Sequence, residues 1–320
     1  MTSNKDGSKA CHKSKIGGQA LIEGIMMRGI DSASMAVRMP NGEIDIEKWP
    51  IKNGKNAPWY RKVPFIRGSV NMVTSLVEGY KCLSKSAEKS SLADDEEEMT
   101  PFEEKLTNLL GDKLFGVLMV IAVIFGLLIV VGLFVAFPTL IASWIGKIAN
   151  IGPFKSLIEG LIKIVLFIAY LWLVGLMKDI ARTYEYHGAE HKTIACYEAG
   201  EELNVENVRK NSRFHPRCGT SFILIVLVVG ILVFSVVTWE NFLIRMGLRI
   251  ATLPIVIGIA YEIIRIAGKY DNIATRIISA PGMALQRLTT REPDDSQIEV
   301  AIAALTAVIP KDKSEDEWGE

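Results

Sequence analysis

Hydrophobic and polar positions follow three different spacings along this chain. Between Met35 and Ile51 they alternate, MAVRMPNGEIDIEKWPI, about a Pro40-Asn41-Gly42 turn. A period of two interrupted by Asn-Gly predicts a β-hairpin. From Ile66 to about Ala87 the apolar positions Val70, Val73, Leu76, Val77, Tyr80, Leu83 and Ala87 recur at helical spacing. This predicts an amphipathic helix whose apolar face either packs on the hairpin or lies on a membrane. Beyond Lys113 the periodicity gives way to segments that are apolar on all sides, at about 114–140, 157–177, 221–237 and 248–264. Each approaches the roughly 20 residues needed to cross a bilayer.

The first of these, LFGVLMVIAVIFGLLIVVGLFVAFPTL, carries no charge. The second holds Glu159 and Lys163 in its first turns, spaced to pair near a membrane surface, and the fourth ends in Glu262 and Arg265. Basic residues in the connections set the orientation. Only Lys147 and Lys155 join the first and second segments and only Arg245 the third and fourth, whereas Lys178, Arg182, Lys192, Arg209, Lys210, Arg213 and Arg217 join the second and third. The positive-inside rule puts that middle connection in the cytoplasm and, with an even number of spans, both termini with it.

The fold expected is a mainly α membrane protein with four transmembrane helices in 106–268. It carries a small α+β N-terminal cytoplasmic domain at 16–90, an acidic linker at 91–105, and a cytoplasmic metal-motif loop at 178–220. In the C-terminal segment, 269–310, Asp295 or Ser296 can cap a short helix, SQIEVAIAAL. Residues 1–15, with no apolar run behind their basic residues, read as a disordered tail rather than a signal peptide, and 311–320 as a second tail.

Composition agrees with the lipid bilayer as the main partner: 49% of the residues are apolar and 22% charged. Thirty-six basic residues balance 36 acidic ones, so there is no whole-chain field for nucleic acid, and no nucleic-acid partner is expected. Cys11, Cys82, Cys196 and Cys218 are too scattered for a disulfide scaffold and read as thiols or metal ligands in a reducing compartment.

Three of the four histidines fall in one stretch, HGAEHKTIACYEAGEELNVENVRKNSRFHPRC, residues 187–218. The composition suggests a helix broken at Gly188 and ended by Gly200. On it, His187 and His191 share a face, and Glu190 completes H-x-x-E-H, the inverzincin pattern. In that chemistry the histidines hold Zn2+ and the glutamate takes a proton from water. His215 and Cys218, flanking a proline, return from the other side as third and fourth ligands. Three protein ligands leave an open, catalytic position; four make a closed structural site. A third alternative is that the histidines bind no metal and hydrogen-bond at the membrane interface. Cys196 reads as a small buried residue. Glu185 and Glu198 read as surface acids, either of which could replace Cys218. The glycine-rich stretch IGGQALIEGIMMRG lacks the lysine of a phosphate loop. Glu23, Arg28 and Arg67, charged among apolar neighbours, suggest that this region packs over the histidines as the other wall of one site.

GGQALIEGIMMRG, VPFIRG, EYHGAEHKTIACYEAG, ELNVENVRKNSRFHPRCGTSF and REPDDSQIEVAIAAL, in that order, resemble the YqhQ-like family of bacterial membrane proteins, a family of unknown function. The resemblance covers Ile16 to about Leu305. It implies an integral membrane protein and a metal-dependent enzyme, with no substrate or reaction attached. Two readings follow. In the first, the chain is a hydrolase on the cytoplasmic membrane face, with His187, His191 and His215 as Zn2+ ligands, Cys218 as fourth or alternate ligand and Glu190 as general base. Its substrate would be a membrane-proximal peptide or a lipid-linked molecule. In the second, it is a non-enzymatic scaffold or transport-associated protein with a structural metal, and so small a translocation unit would form a homo-oligomer.

Overall fold

The alternation at the N-terminus produces a four-stranded antiparallel meander, β1 (Gly17–Leu21), β2 (Gly24–Arg28), β3 (Ser32–Arg38) and β4 (Ile44–Pro50), in that spatial order. The computed structural model describes residues 12–51, 57–90, 121, 124–126, 128–149, 154–236, 242–270 and 272–317. The expected hairpin is β3–β4, in register from Ser32 opposite Pro50 to Arg38 opposite Ile44, and Gly42 takes the positive φ of 87° that its turn requires.

The central strands are apolar on both faces because both faces are covered. One face of the sheet presents Leu21, Met26, Met35 and Val37 to Cys82 of α1 (Ile66–Ser90). The other presents Ile25, Met27 and Ala36 to α4 (Lys178–Glu198) and α9 (Asp295–Val308), through Tyr186, Ala189, Val300 and Ala304. Glu23, at φ 49° in the turn between β1 and β2, is held by Arg182 Nη2 at 2.7 Å and by the Tyr186 hydroxyl at 3.1 Å. Arg28 pairs with Glu78 and Arg67 with Glu262. These three charged residues are thus held in ion pairs that fix the N-terminal unit.

The helix over 66–90 does not use its apolar stripe to cover the sheet. Its buried residues are Gly68, Gly79, Cys82 and Ser86, and Lys85 reaches Glu47 at 2.7 Å.

Among the described residues, four helices are long and apolar enough to cross a membrane: α2 (Ile124–Ile148), α3 (Lys155–Val174), α6 (Gly219–Val236) and the stretch Met246–Lys269 of α7 (Phe242–Lys269). The first is expected over 114–140; that expected start lies outside the described residues, and the helix runs on to Ile148. Pro138 does not stop it, because it stands in the first turn after a π-helical step at Gly132–Ala136 and so costs no regular hydrogen bond. The fourth passes its expected end at 264 because Glu262 is ion-paired rather than hydrated. Residues 93–169 form a compact unit apart from the one built by the remainder. The acidic linker at 91–105 lies outside the described residues.

Other differences from expectation have local causes. The connection at 178–220 is largely helical: α4, then α5 (Val205–Lys210), which the Asn204 side chain caps. Helix α4 runs through Gly188 unbroken. The glycine is needed there because a Cβ would overlap the carbonyl oxygen of Arg291, whose N–H donates to Tyr184 O at 2.9 Å. Gly200, at φ 72°, ends the helix as expected. Helix α7 is followed by α8 (Ile273–Thr289), started by a capping box of Asn272 and Thr275 that the residue spacing did not single out. The cap of α9 is Asp294, reciprocated by Gln297, rather than Asp295 or Ser296. The described ends of the two presumed tails are ordered against each other. Ser14 is fully buried, its hydroxyl donates to Asp316 at 2.8 Å, and Ser14 pairs with Glu317 as an isolated bridge.

Candidate metal centre

Helix α4 is polar in sequence yet buried from Tyr186 to Glu198 except at His187 and Ala195. Burial of such a helix calls for partners to its polar groups, and Lys192 and Thr193 have them. Lys192 donates to the carbonyls of Arg209 and Asn211 at 3.0 and 2.8 Å and pairs with Glu292; Thr193 bonds back to Ala189 O at 2.8 Å. The helix is thus locked before any metal is considered.

His187 and His191, one turn apart, have ring centroids 4.4 Å apart. Their Nδ1 atoms lie 2.8 Å from Thr289 O and 2.6 Å from Arg213 O. A carbonyl only accepts, so each Nδ1 carries the proton and each Nε2 presents a lone pair. His187 Nε2 is 3.2 Å from Cys218 Sγ, and one ligand atom each from His187, His191 and Cys218 lie within 4.8 Å of one another. A tetrahedral ion with bonds of about 2.0–2.3 Å asks for donors about 3.3–3.8 Å apart, and a group with one pair at 3.2 Å and all atoms within 4.8 Å could draw in around one. Backbone carbonyls behind both imidazoles are the outer partners that metal-bound histidines generally have.

His215 is not in that set. Its ring leans on His191 at a centroid distance of 5.6 Å, but its Nε2 faces Glu198 Oε2 at 3.7 Å and Arg217 Nη2 at 3.3 Å. Gln286 fixes the backbone, accepting from His215 N at 2.8 Å and donating to His215 O at 2.7 Å. The Arg217–Glu198 ion pair stands beside the imidazole, and His215, expected as the third ligand, lies outside the three-residue group. Glu198, expected at the surface, is buried and also accepts from Ser14 N at 2.6 Å.

The family model described as "Protein of unknown function (DUF1385)" matches residues 63–311. This chain belongs to the DUF1385 family. It is 35% identical over 294 residues, 92% of each chain, to "Uncharacterized protein YqhQ" of Bacillus subtilis (strain 168). No solved structure matches. The matched span of this DUF1385 chain contains all three clustered ligand candidates and the helix ends that hold them.

The surroundings of Cys218 in the DUF1385 site pull its thiol in opposite directions. Burial alone would raise the Cys218 thiol, but its contacts with His191 and Thr220 bring it below its ordinary value. Burial lowers His191 and, against the pull of Glu198, His215. Cys196 is the contrasting thiol: burial beside Glu201 pushes it up to about 12, and it packs with Val208 and Ile298 as the small core residue expected. Glu185 is half-buried and accepts from Gln297 at 3.0 Å, away from the ligand set.

Glu190 faces the N-terminal sheet. A Cβ at Gly18 would stand 2.9 Å from its carboxyl carbon, and the Gly18 N–H donates to it. Burial pushes the carboxyl up to about 7, opposed by His187, reinforced by Cys218 and opposed again by that N–H. Oε2 is buried and has no hydrogen-bond partner among the described residues. The stretch IGGQ therefore does meet the histidine helix, at Gly18. Thr289, Arg213, Gln286 and Thr220 were not found from sequence. The first two act through backbone carbonyls, which leave no residue-type signal.

Proposed function

We propose that this DUF1385 chain is a multi-pass membrane protein carrying a metal-dependent hydrolase site on the cytoplasmic side, with both termini cytoplasmic. The four apolar helices and the Lys/Arg bias of their connections support the topology. His187, His191 and Cys218 would hold the ion, Zn2+ by the softness of a histidine–thiolate set, and three protein ligands leave a fourth position open.

The observation that carries the enzymatic reading is Glu190. A buried carboxylate oxygen without a partner among the described residues, beside a three-ligand set, is costly unless something is brought to it. An ion bound there supplies Lewis acidity toward a carbonyl or phosphoryl oxygen. Glu190 then takes the proton of the attacking water and returns it to the leaving group, its elevated carboxyl suited to both steps near neutral pH. Thr289 and Arg213 hold the imidazoles in the tautomer that binds metal. Cys218 immediately precedes Gly219, the first residue of α6, so a substrate reaches the site at headgroup depth. This supports a membrane-proximal peptide or a lipid-linked molecule.

The second reading, a structural metal that staples α4 to the start of α6, is favoured by the near-complete burial of His191 and Cys218. Acetohydroxamate separates the two. Metal-loaded protein in nanodiscs should bind it at the open position, seen by calorimetry, and Glu190→Gln should keep the metal while weakening that binding. A loaded wild type that takes up no hydroxamate overturns the catalytic reading in favour of the staple.

A further inference from the structure

The helix α1 is amphipathic the wrong way round for a soluble protein. The side facing the sheet and α7 carries Arg67, Gly68, Glu78, Gly79 and Lys85, each packed or ion-paired. The opposite side carries the apolar stripe, and Val73, Leu76 and Tyr80 are 62%, 61% and 63% exposed. A stripe of this kind normally turns inward, because each buried aliphatic or aromatic side chain contributes on the order of 1.5–3 kcal/mol. Here the inward positions are taken by small and charged residues whose partners are specific, so the stripe cannot rotate in without breaking Arg28–Glu78 and Arg67–Glu262.

Two further observations say what covers it. First, α1 springs from the flank of α7, which contains one of the apolar helices. Gly68 packs against Gly258 and Tyr261 so closely that a Cβ would meet Tyr261 at 2.7 Å, Ser69 Oγ donates to Pro254 O at 2.9 Å, and Asn71 donates to the Tyr261 hydroxyl at 3.0 Å. The stripe therefore continues the apolar flank of a helix read as spanning. Second, its margins have interfacial chemistry. Trp59 is 71% exposed in the turn leading into α1, Tyr80 lies within the stripe, and the exposed Lys62 and Lys81 border it. Aromatic rings with a polar edge and lysines at the rim of an apolar face are what headgroups and anionic lipid select.

We propose that α1 lies in the interface of the bilayer that α7 crosses, its Val73–Leu76–Val77–Tyr80 stripe sunk to the acyl boundary and its polar side carrying the β-sheet. The occupant of the stripe is lipid. The sheet, and with it Gly18 against Glu190, is thereby held at a fixed height above the membrane. This rests on the membrane reading of the apolar helices, though not on the metal.

The test uses the full chain with a fluorescent amino acid introduced singly at Val73, Val77 or Lys85, and at Val228 in α6 as the reference. Samples are reconstituted in phosphatidylethanolamine–phosphatidylglycerol vesicles with or without brominated acyl chains, and quenched separately by iodide from the aqueous phase. Expected is loss of emission in brominated lipid at Val73 and Val77 comparable to that at Val228, with little effect of iodide, and no lipid quenching at Lys85. Stripe positions quenched by iodide but not by lipid overturn the proposal, since they face water. Stripe positions shielded from both also overturn it, since another polypeptide covers them. Failure at Val228 itself would instead sink the membrane reading, so the two failures are told apart.

Discussion

His191 donates its Nδ1 proton to the carbonyl oxygen of Arg213 at 2.6 Å, and that bond turns the other ring nitrogen toward Cys218. The acceptor belongs to the segment that leads into the third apolar helix, so ligand orientation depends on how the chain returns after α5. Substitutions that loosen this return should release the site without touching a ligand.

Gln286 is the side chain that pins the return, with one bond to each side of the His215 peptide unit. Gln286→Leu keeps its volume and removes both bonds, leaving a buried N–H and C=O unsatisfied at about 1–3 kcal/mol each. We expect a thermal midpoint several degrees lower in detergent and weaker metal retention during dialysis. Unchanged retention would show that the ligands are oriented by α4 alone.

Metal content distinguishes the ligand set. His187→Ala, His191→Ala and Cys218→Ser should each lose bound metal in purified protein measured by plasma mass spectrometry, and His215→Ala should retain it. Replacement by Co2+ should give a thiolate charge-transfer band that Cys218→Ser abolishes. A His215→Ala protein that loses its metal would restore His215 to the set.

Gly188→Ala tests the close crossing of Arg291. In an isolated helix alanine is favoured over glycine by about 1 kcal/mol. Here the added methyl meets the Arg291 carbonyl, so overpacking costs about 1–3 kcal/mol and the net change is destabilising. Chemical or thermal unfolding followed by circular dichroism measures the sign.

Much of this arrangement was legible in residue spacing. The hairpin at Asn41-Gly42, the helix from Ile66 and the four apolar helices follow from periods of 2, 3.6 and none, and the i,i+4 histidines follow from helical geometry. What spacing cannot state is direction across the fold. His215 and Cys218 are equally close to the histidine helix in sequence, yet one turns to Glu198 and the other to His187, because a buried ion pair attracts the first. Gly188 looked like a breaker because helix propensity is local, whereas the reason for the glycine is a carbonyl about a hundred residues away. The ordering of the chain ends was hidden for the same reason: Ser14 and Asp316 are polar, and their burial depends on each other.

Arg67 and Glu262 form a two-point ion pair between α1 and α7, with side chains 14% and 16% exposed. Removing one partner strands a charge of low hydration, so Glu262→Gln alone should destabilise by about 2–4 kcal/mol. Replacing both, Arg67→Met with Glu262→Met, should cost less than that single change, because apolar neighbours suit two apolar side chains. A double replacement that costs as much as the two singles added would mean that the pair is independent of its setting.

The last prediction concerns the clamp that joins the two chain ends beside the site. Glu198 accepts from Ser14 N and pairs with Arg217, and Asp316 accepts from Ser14 Oγ and Lys15 N. Burial would raise the Glu198 carboxyl, but His215 and Arg217 hold it below its ordinary 4.5. A carboxyl depressed in the folded state stabilises fully above its unfolded value and loses that contribution as pH falls through the folded one. The clamp should therefore be closed at neutral pH and open in acid below 4.5. Limited proteolysis after Lys13 or Lys15 reads the opening, with an acid-active protease as the probe at low pH. Asp316→Ala should expose these bonds already at pH 7, at a cost of about 1–3 kcal/mol for the orphaned Ser14 and Lys15 donors. Resistance of the Asp316→Ala protein at pH 7 that is lost in acid would show that Glu198 alone holds the N-terminal segment.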